Sequence, residues 1–188
     1  LLESHGAEII RIAVDSRLDG EALASISSHT KARLVVDLQE NYRLAALVAP
    51  YVQKIRYNPG HLYHHEQSTP VGEKVRFLTE TAKQHNLAVR IGINAGSLDP
   101  GLRNEGKRDF GVALSSAREH VQYMRDLNFE NFLVSLKSAD PNEVIDINLA
   151  FAEEFPEVPL HLGVTEAGML PMGEIKTRAA FETLLSKG

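Results

Sequence analysis

Short β-rich runs recur along this chain at Glu8–Val14, Arg33–Leu38, Lys54–Asn58, Ala88–Asn94, Phe132–Lys137 and Pro159–Thr165. Segments of helical periodicity fill the gaps. The clearest is Phe110–Leu127, where Phe110, Leu114, Ala117, Val121, Met124 and Leu127 fall three or four apart. Gly20–Ser28, Tyr42–Tyr51, Gly72–His85, Asn142–Glu154 and Glu174–Ser186 read the same way. Strands alternating with helices predict parallel βαβ units, and several runs are nearly continuously apolar, as strands covered on both faces are. An open dinucleotide-binding sheet would carry a Gly-rich turn after its first strand, and Val14-Asp15-Ser16-Arg17-Leu18-Asp19 has none. The expected fold is α/β: a (β/α)8 TIM barrel, incomplete at about six βα units. A full barrel takes about 250 residues, and this chain has 188.

No Pro/Gly/Ser-rich linker divides the chain, so residues 1–188 are expected to form a single incomplete barrel domain. The first residues, Leu1 to Gly6, read as a helix tail closed by glycine, with no initiator Met. The end at Leu184–Gly188 reads alike, and a piece of a longer protein is expected. The net charge of −5 gives the surface as a whole no attraction for nucleic acid or anionic lipid. With no cysteine, disulfides, thiolate catalysis and Cys-ligated zinc or iron–sulfur are excluded within these residues. No apolar run approaches the ~20 residues of a membrane span, no signal peptide is visible, and a cytoplasmic location is expected.

Side chains alternate along a strand, so residues of equal parity share a face. Arg11, Ala13 and Asp15 form one set; Arg56 and Asn58 another; then Arg90, Gly92 and Asn94; Ser135 and Lys137; His161, Gly163 and Thr165, with Glu166 just beyond. Asp37 ends its run. A charge buried alone costs several kcal/mol, so Arg11, Arg56, Arg90 and Lys137 recurring on strands point to an anion. Arg offers a planar fork to phosphate oxygens and Lys a compact charge; a diphosphate fits their number. Gly92 and Gly96 would let backbone approach a ligand. Asp37 could instead simply hold Arg11 or Arg56, and His161 is either a satisfied core histidine or a proton donor. His61, His64 and His65 match no zinc spacing and read as a solvated loop. Asn94-Ala95-Gly96-Ser97 reads as a turn that could bind phosphate through backbone N–H groups. The irregular stretches Pro59–Val71 and Ser97–Arg108 follow strands, where barrel loops carry function.

At these residues the sequence resembles the 4-hydroxy-3-methylbut-2-enyl diphosphate synthase family, iron–sulfur enzymes of the methylerythritol phosphate route to isoprenoids. The matching phrases are Gly6–Arg11, Leu34–Asp37 with Tyr42–Ala45, Ile55–Gly60, Arg90–Leu98, Val134–Lys137 and His161–Gly168, in the family's order across nearly the whole chain. The resemblance implies strands two to seven of the barrel and a C-terminal domain outside this chain that carries a 4Fe–4S cluster. It implies an oxidoreductase, inactive as this piece alone, that reductively opens 2-C-methyl-D-erythritol 2,4-cyclodiphosphate to the linear diphosphate. By resemblance, Arg11, Arg56, Asn58, Arg90, Asn94, Lys137 and His161 hold the substrate, with no metal bound by these residues. Asp37 organises the cations, and Glu166 stands near the departing hydroxyl as a catalytic group. A flavodoxin- or ferredoxin-type electron donor and a homodimer are implied as well.

Gln39 stands where the family usually has His, His61 where it commonly has Asn, and Tyr57 where it has an aliphatic residue. Two other readings suit a barrel mouth bearing these residues: a pterin-binding transferase like dihydropteroate synthase, and a non-catalytic diphosphate-binding domain.

Overall fold

A computed structural model describes residues 1–94 and 109–187. The turn proposed at residues 95–97 and the irregular stretch that follows it lie outside the described residues.

Parallel strands pair in sequence order: β1 (Ile9–Val14), β2 (Arg33–Leu38), β3 (Lys54–Tyr57), β4 (Ala88–Asn94) and β5 (Phe132–Lys137). Their ends agree with the β-rich runs to within a residue. Helix α1 (Arg17–Ser28) follows β1 and opens with a capping box, in which Ser16 accepts from the Asp19 N–H and the Asp19 carboxylate accepts from the Ser16 N–H. After β2, residues 42–51 form a 3-10 turn, a short α2 (Ala45–Val48) and a second 3-10 turn. The pyrrolidine at Pro50 shortens what the periodicity suggests is one helix. Helix α4 (Val71–Gln84) joins β3 to β4, and α5 (Asp109–Asp126) precedes β5. Asp140 caps α6 (Pro141–Glu154), which has Pro at its first turn, and α7 (Met172–Leu185) closes the described chain.

Helices α1, α4, α5 and α6 bury apolar residues against the sheet. On α5, Leu114, Ala117, Val121 and Met124 are buried at the three-and-four spacing that gave the helix away. They pack with Ile55, Val89, Ile91 and Ile93 of the central strands in one continuous core. A smaller cluster of Val144, Ala180 and Leu184 joins α6 to α7. Strand β1 is an edge: Ile10 and Ile12 pack on the core, while Ile9, Arg11 and Ala13 lie open.

Two segments differ from the sequence expectation. Pro159–Thr165 is not a regular strand. Among the described residues it makes a single parallel bridge, Leu160 to Val134, and beyond it meets only the residue after β5, where the Thr165 N–H donates to Ser138 O at 3.0 Å. Gly163 lies between those points and offers no side chain to pack, which weakens a strand already paired on one side alone among the described residues. Pro59–Val71, expected to be irregular, begins with a short helix, α3 (Pro59–Leu62). Its rigid first residue and the Asn58 side chain, which accepts from the Gly60 N–H at 3.0 Å, explain the turn.

A cationic cleft at the strand ends

Parallel register sets the floor of the site. Asp37 lies opposite Arg56, and Arg56 opposite Arg90, so three charged side chains form a row across β2, β3 and β4. Further along the same faces, Gly92 pairs with Ser135 and Asn94 with Lys137. The strands therefore present Arg11, Asp37, Arg56, Arg90, Asn94 and Lys137 to one cleft of about 610 Å³. Thr165 and Glu166 join them from the segment after β5.

Among the described residues, Asp37 carries the only buried carboxylate of this floor. It accepts from Arg56 Nη1 at 2.8 Å, and Arg11 Nε stands 3.8 Å from its other oxygen. Arg56 then donates from Nη2 to the Gly92 carbonyl at 2.9 Å. A Cβ on Gly92 would lie 2.1 Å from Arg56 Nε, so the bare glycine makes room for a guanidinium lying flat over β4. That space belongs to Arg56, not to a ligand approaching the backbone. Gly163 does the same for Lys137, whose Nζ would stand 2.7 Å from a Cβ there.

Arg90 and Lys137 have no carboxylate partner among the described residues, and the buried Nε of Arg90 has no hydrogen-bond partner there. Burial first, then the neighbouring Arg56 and Arg11, lowers the Arg90 pKa to about 10. Burial, followed by Arg90, Arg11 and Arg56, brings Lys137 down to about 8. Cations that destabilise one another in a shared cleft are arranged for an anion to neutralise. His161 accepts at Nε2 from Arg90 Nη1 at 3.1 Å. Desolvation and the charges of Arg90, Lys137, Lys54 and Arg11 hold its pKa at about 4. The ring is neutral at neutral pH and buttresses Arg90.

Glu166 adopts φ 51, a left-handed conformation uncommon for Glu and worth of order 1 kcal/mol of strain. The residue lines the cleft in that pose. Asn58 is placed differently from the other expected site residues: it is buried and spends its amide oxygen on capping α3. Gln39, His61, Ser138 and Glu143 line the cleft without having been singled out for it. Parity with Asp37 gives Gln39 away. Ser138, whose hydroxyl donates to Glu143 at 2.6 Å, lies just beyond β5, and Glu143 enters on the first turn of α6. No three His, Asp or Glu side chains among the described residues are placed to hold a metal ion.

The family of GcpE TIM-barrel domains matches residues 1–188. A relative from Rhodopirellula baltica, 4-hydroxy-3-methylbut-2-en-1-yl diphosphate synthase (flavodoxin), is 56% identical over the whole of this chain and half of its own length. A synthase of the same name from Exiguobacterium sibiricum is 37% identical and covered over 49%. The chain thus spans about half the length of these relatives. Among solved structures, Brucella melitensis HMG-CoA lyase superposes with a TM-score of 0.59 at 16% identity, covering 95% of this chain and 66% of that one. Yersinia pestis dihydropteroate synthase gives 0.61 at 12% identity, covering 98% and 69%. At such identities the likeness is one of fold alone, a TIM-like α/β barrel. By its sequence across all 188 residues, this chain belongs to the GcpE TIM-barrel domain family.

Proposed function

We propose that these residues form the substrate-binding barrel of a 4-hydroxy-3-methylbut-2-en-1-yl diphosphate synthase. In this reading the cleft holds 2-C-methyl-D-erythritol 2,4-cyclodiphosphate for reductive ring opening to the linear diphosphate. The observation that carries it is the convergence of Arg11, Arg56, Arg90 and Lys137 on one cleft, with Asp37 as the sole buried carboxylate among the described residues there. Two linked phosphoryl groups neutralise that excess, Asn94 adds a neutral donor, and Glu166 faces the polyol end as a proton donor to the departing hydroxyl. Asn58 acts through α3 and His161 through Arg90.

The iron–sulfur cluster implied by the resemblance finds no ligand set here. The chain has no cysteine, and cluster thiolates must come from other residues. What the cluster supplies is electrons, and the relatives' names point to flavodoxin as their source. The homodimer and a cytoplasmic location belong to the same proposal. No described helix is long and apolar enough to cross a membrane.

Arg90→Met and Lys137→Met in the full-length protein test the reading. Each removes a partly desolvated charge that lacks a carboxylate partner among the described residues, so thermal stability holds or rises. Each also weakens calorimetric binding of the cyclic diphosphate at least tenfold, about 1.4 kcal/mol. Cations serving only the fold would give the reverse: lower stability and unchanged affinity.

A further inference from the structure

His61 lines the same cleft as Arg11, Arg56 and Glu166, but from the α3 side. Its Nδ1 lies 2.9 Å from the Gln39 carbonyl oxygen. A carbonyl only accepts, so Nδ1 carries a proton and the ring is fixed in that tautomer. The remaining nitrogen, Nε2, makes no hydrogen bond among the described residues. The backbone beneath it is rigidly held: the His61 N–H donates to Asn58 O at 3.0 Å, and Lys74 Nζ donates to the carbonyl of the next residue, Leu62, at 2.5 Å. A half-buried imidazole with one nitrogen anchored and the other uncommitted is placed as a contact, unlike the exposed His64 one turn on.

We propose that His61 is a proton-carrying substrate contact, whose Nε2, protonated when the diphosphate binds, donates a hydrogen bond to a ligand oxygen. The proposal rests on the reading of this cleft as a diphosphate site. His61 shares one cavity with Asp15 and Glu40 and the cleft with Arg11, Asp37, Arg56, Arg90, Lys137, Glu143 and Glu166, and the His64 ring centroid lies 6.3 Å from its own. A bound anion offsets the cationic charges and leaves the carboxylates, so ligand binding and protonation of the ring favour each other. One proton moves from solvent to Nε2, and no other bond changes.

The test is calorimetry of the full-length protein with the cyclic diphosphate, in two buffers of different ionisation enthalpy. Near pH 7 Lys137 is already largely protonated, given its pKa of about 8, and His161, held at about 4, is neutral. The part of the proton uptake at that pH that is lost in His61→Asn therefore reports on His61, and the part that stays belongs to other groups of the cleft, Glu166 among them. Wild type takes up protons, and His61→Asn, which keeps a donor for the Gln39 carbonyl, loses at least half of that uptake. Its affinity falls roughly five- to twentyfold near pH 7 and by under twofold above about pH 8.5. Uptake equal to wild type, or a loss of affinity independent of pH, overturns the proposal while leaving the diphosphate site standing. Absence of binding by wild type overturns both. Should the variant misfold, nitrogen NMR of the wild-type histidines decides: the His61 Nε2 resonance moves to its protonated position when the cyclic diphosphate is added, and an unmoved resonance overturns the proposal.

Discussion

Gly92 shows what a single position contributes. Strand parity alone puts Arg56, Arg90, Asp37 and Lys137 on faces that can meet, and the cleft unites them. Parity does not say where a guanidinium will lie once it arrives. The absence of a side chain at residue 92 lets Arg56 fold across β4 and reach Asp37 and the Gly92 carbonyl together. Gly92→Ala places a methyl group within 2.8 Å of three guanidinium atoms, and Arg56 must swing away. Asp37, 4% exposed, then loses its closest partner. The expected result is a folded protein destabilised by roughly 1–3 kcal/mol, with affinity for the cyclic diphosphate reduced tenfold or more. Urea unfolding and calorimetry measure the two, and an unchanged dissociation constant would remove Arg56 from the ligand site. Asn58 shows the opposite case. It shares parity with Arg56, but its residue type is also a preferred helix cap, and Pro59 after it fixes that local use.

At the scale of elements, legibility followed locality. The five regular strands and the long helices show their own periodicity, and each buries the stripe the sequence marks. The run at Pro159–Thr165 has the composition of a strand, but its regularity depends on neighbours on both sides, which no local pattern encodes. The segment after α3 shows no period because contacts distant in sequence shape it. Glu66, at φ 51, accepts from Tyr42 Oη at 2.7 Å and from Arg43 Nη2 at 2.9 Å, and Lys74 from α4 holds the carbonyls of Leu62 and His65. Lys74 is 1% exposed, and burial lowers its pKa, an effect Glu66 partly offsets. Lys74→Met keeps the stem and leaves two carbonyls without their donor. The expected cost is about 2 kcal/mol in urea unfolding, since hydrogen bonds from a charged group are worth about 1.5–3 kcal/mol. Proteolysis should quicken within residues 59–70. A variant as stable and as resistant as wild type would show that the segment holds itself.

For the molecule as a whole, response to acid is written into the core as well as the cleft. His120 on α5 is fully buried between Tyr57, whose hydroxyl lies 2.9 Å from its Nδ1, and the edge-on ring of Tyr123. Burial lowers its pKa to about 3, so the folded protein keeps this ring neutral far below the usual histidine range. The unfolded chain binds that proton near pH 6.5. Between those values the unfolded state holds more protons, and stability drops by about 1.4 kcal/mol for each unit by which pH is lowered. Glu66 acts in a lower window. Hydrogen bonds from Arg43 and then Tyr42 depress its pKa to about 2, so its contribution is present above about 4.5 and is lost as pH falls towards 2. From pH 6.5 down to 4.5 the histidine therefore dominates, for roughly 3 kcal/mol. His161 adds less, because its exposed position lets water screen the charge. His120→Gln removes the titration while keeping an acceptor for the Tyr57 hydroxyl. Urea midpoints of the intact protein, followed by near-ultraviolet tyrosine signal, should fall steeply across this window in wild type and much less in the variant. Parallel slopes would mean that acid acts through surface carboxylates and that the buried ring is a bystander.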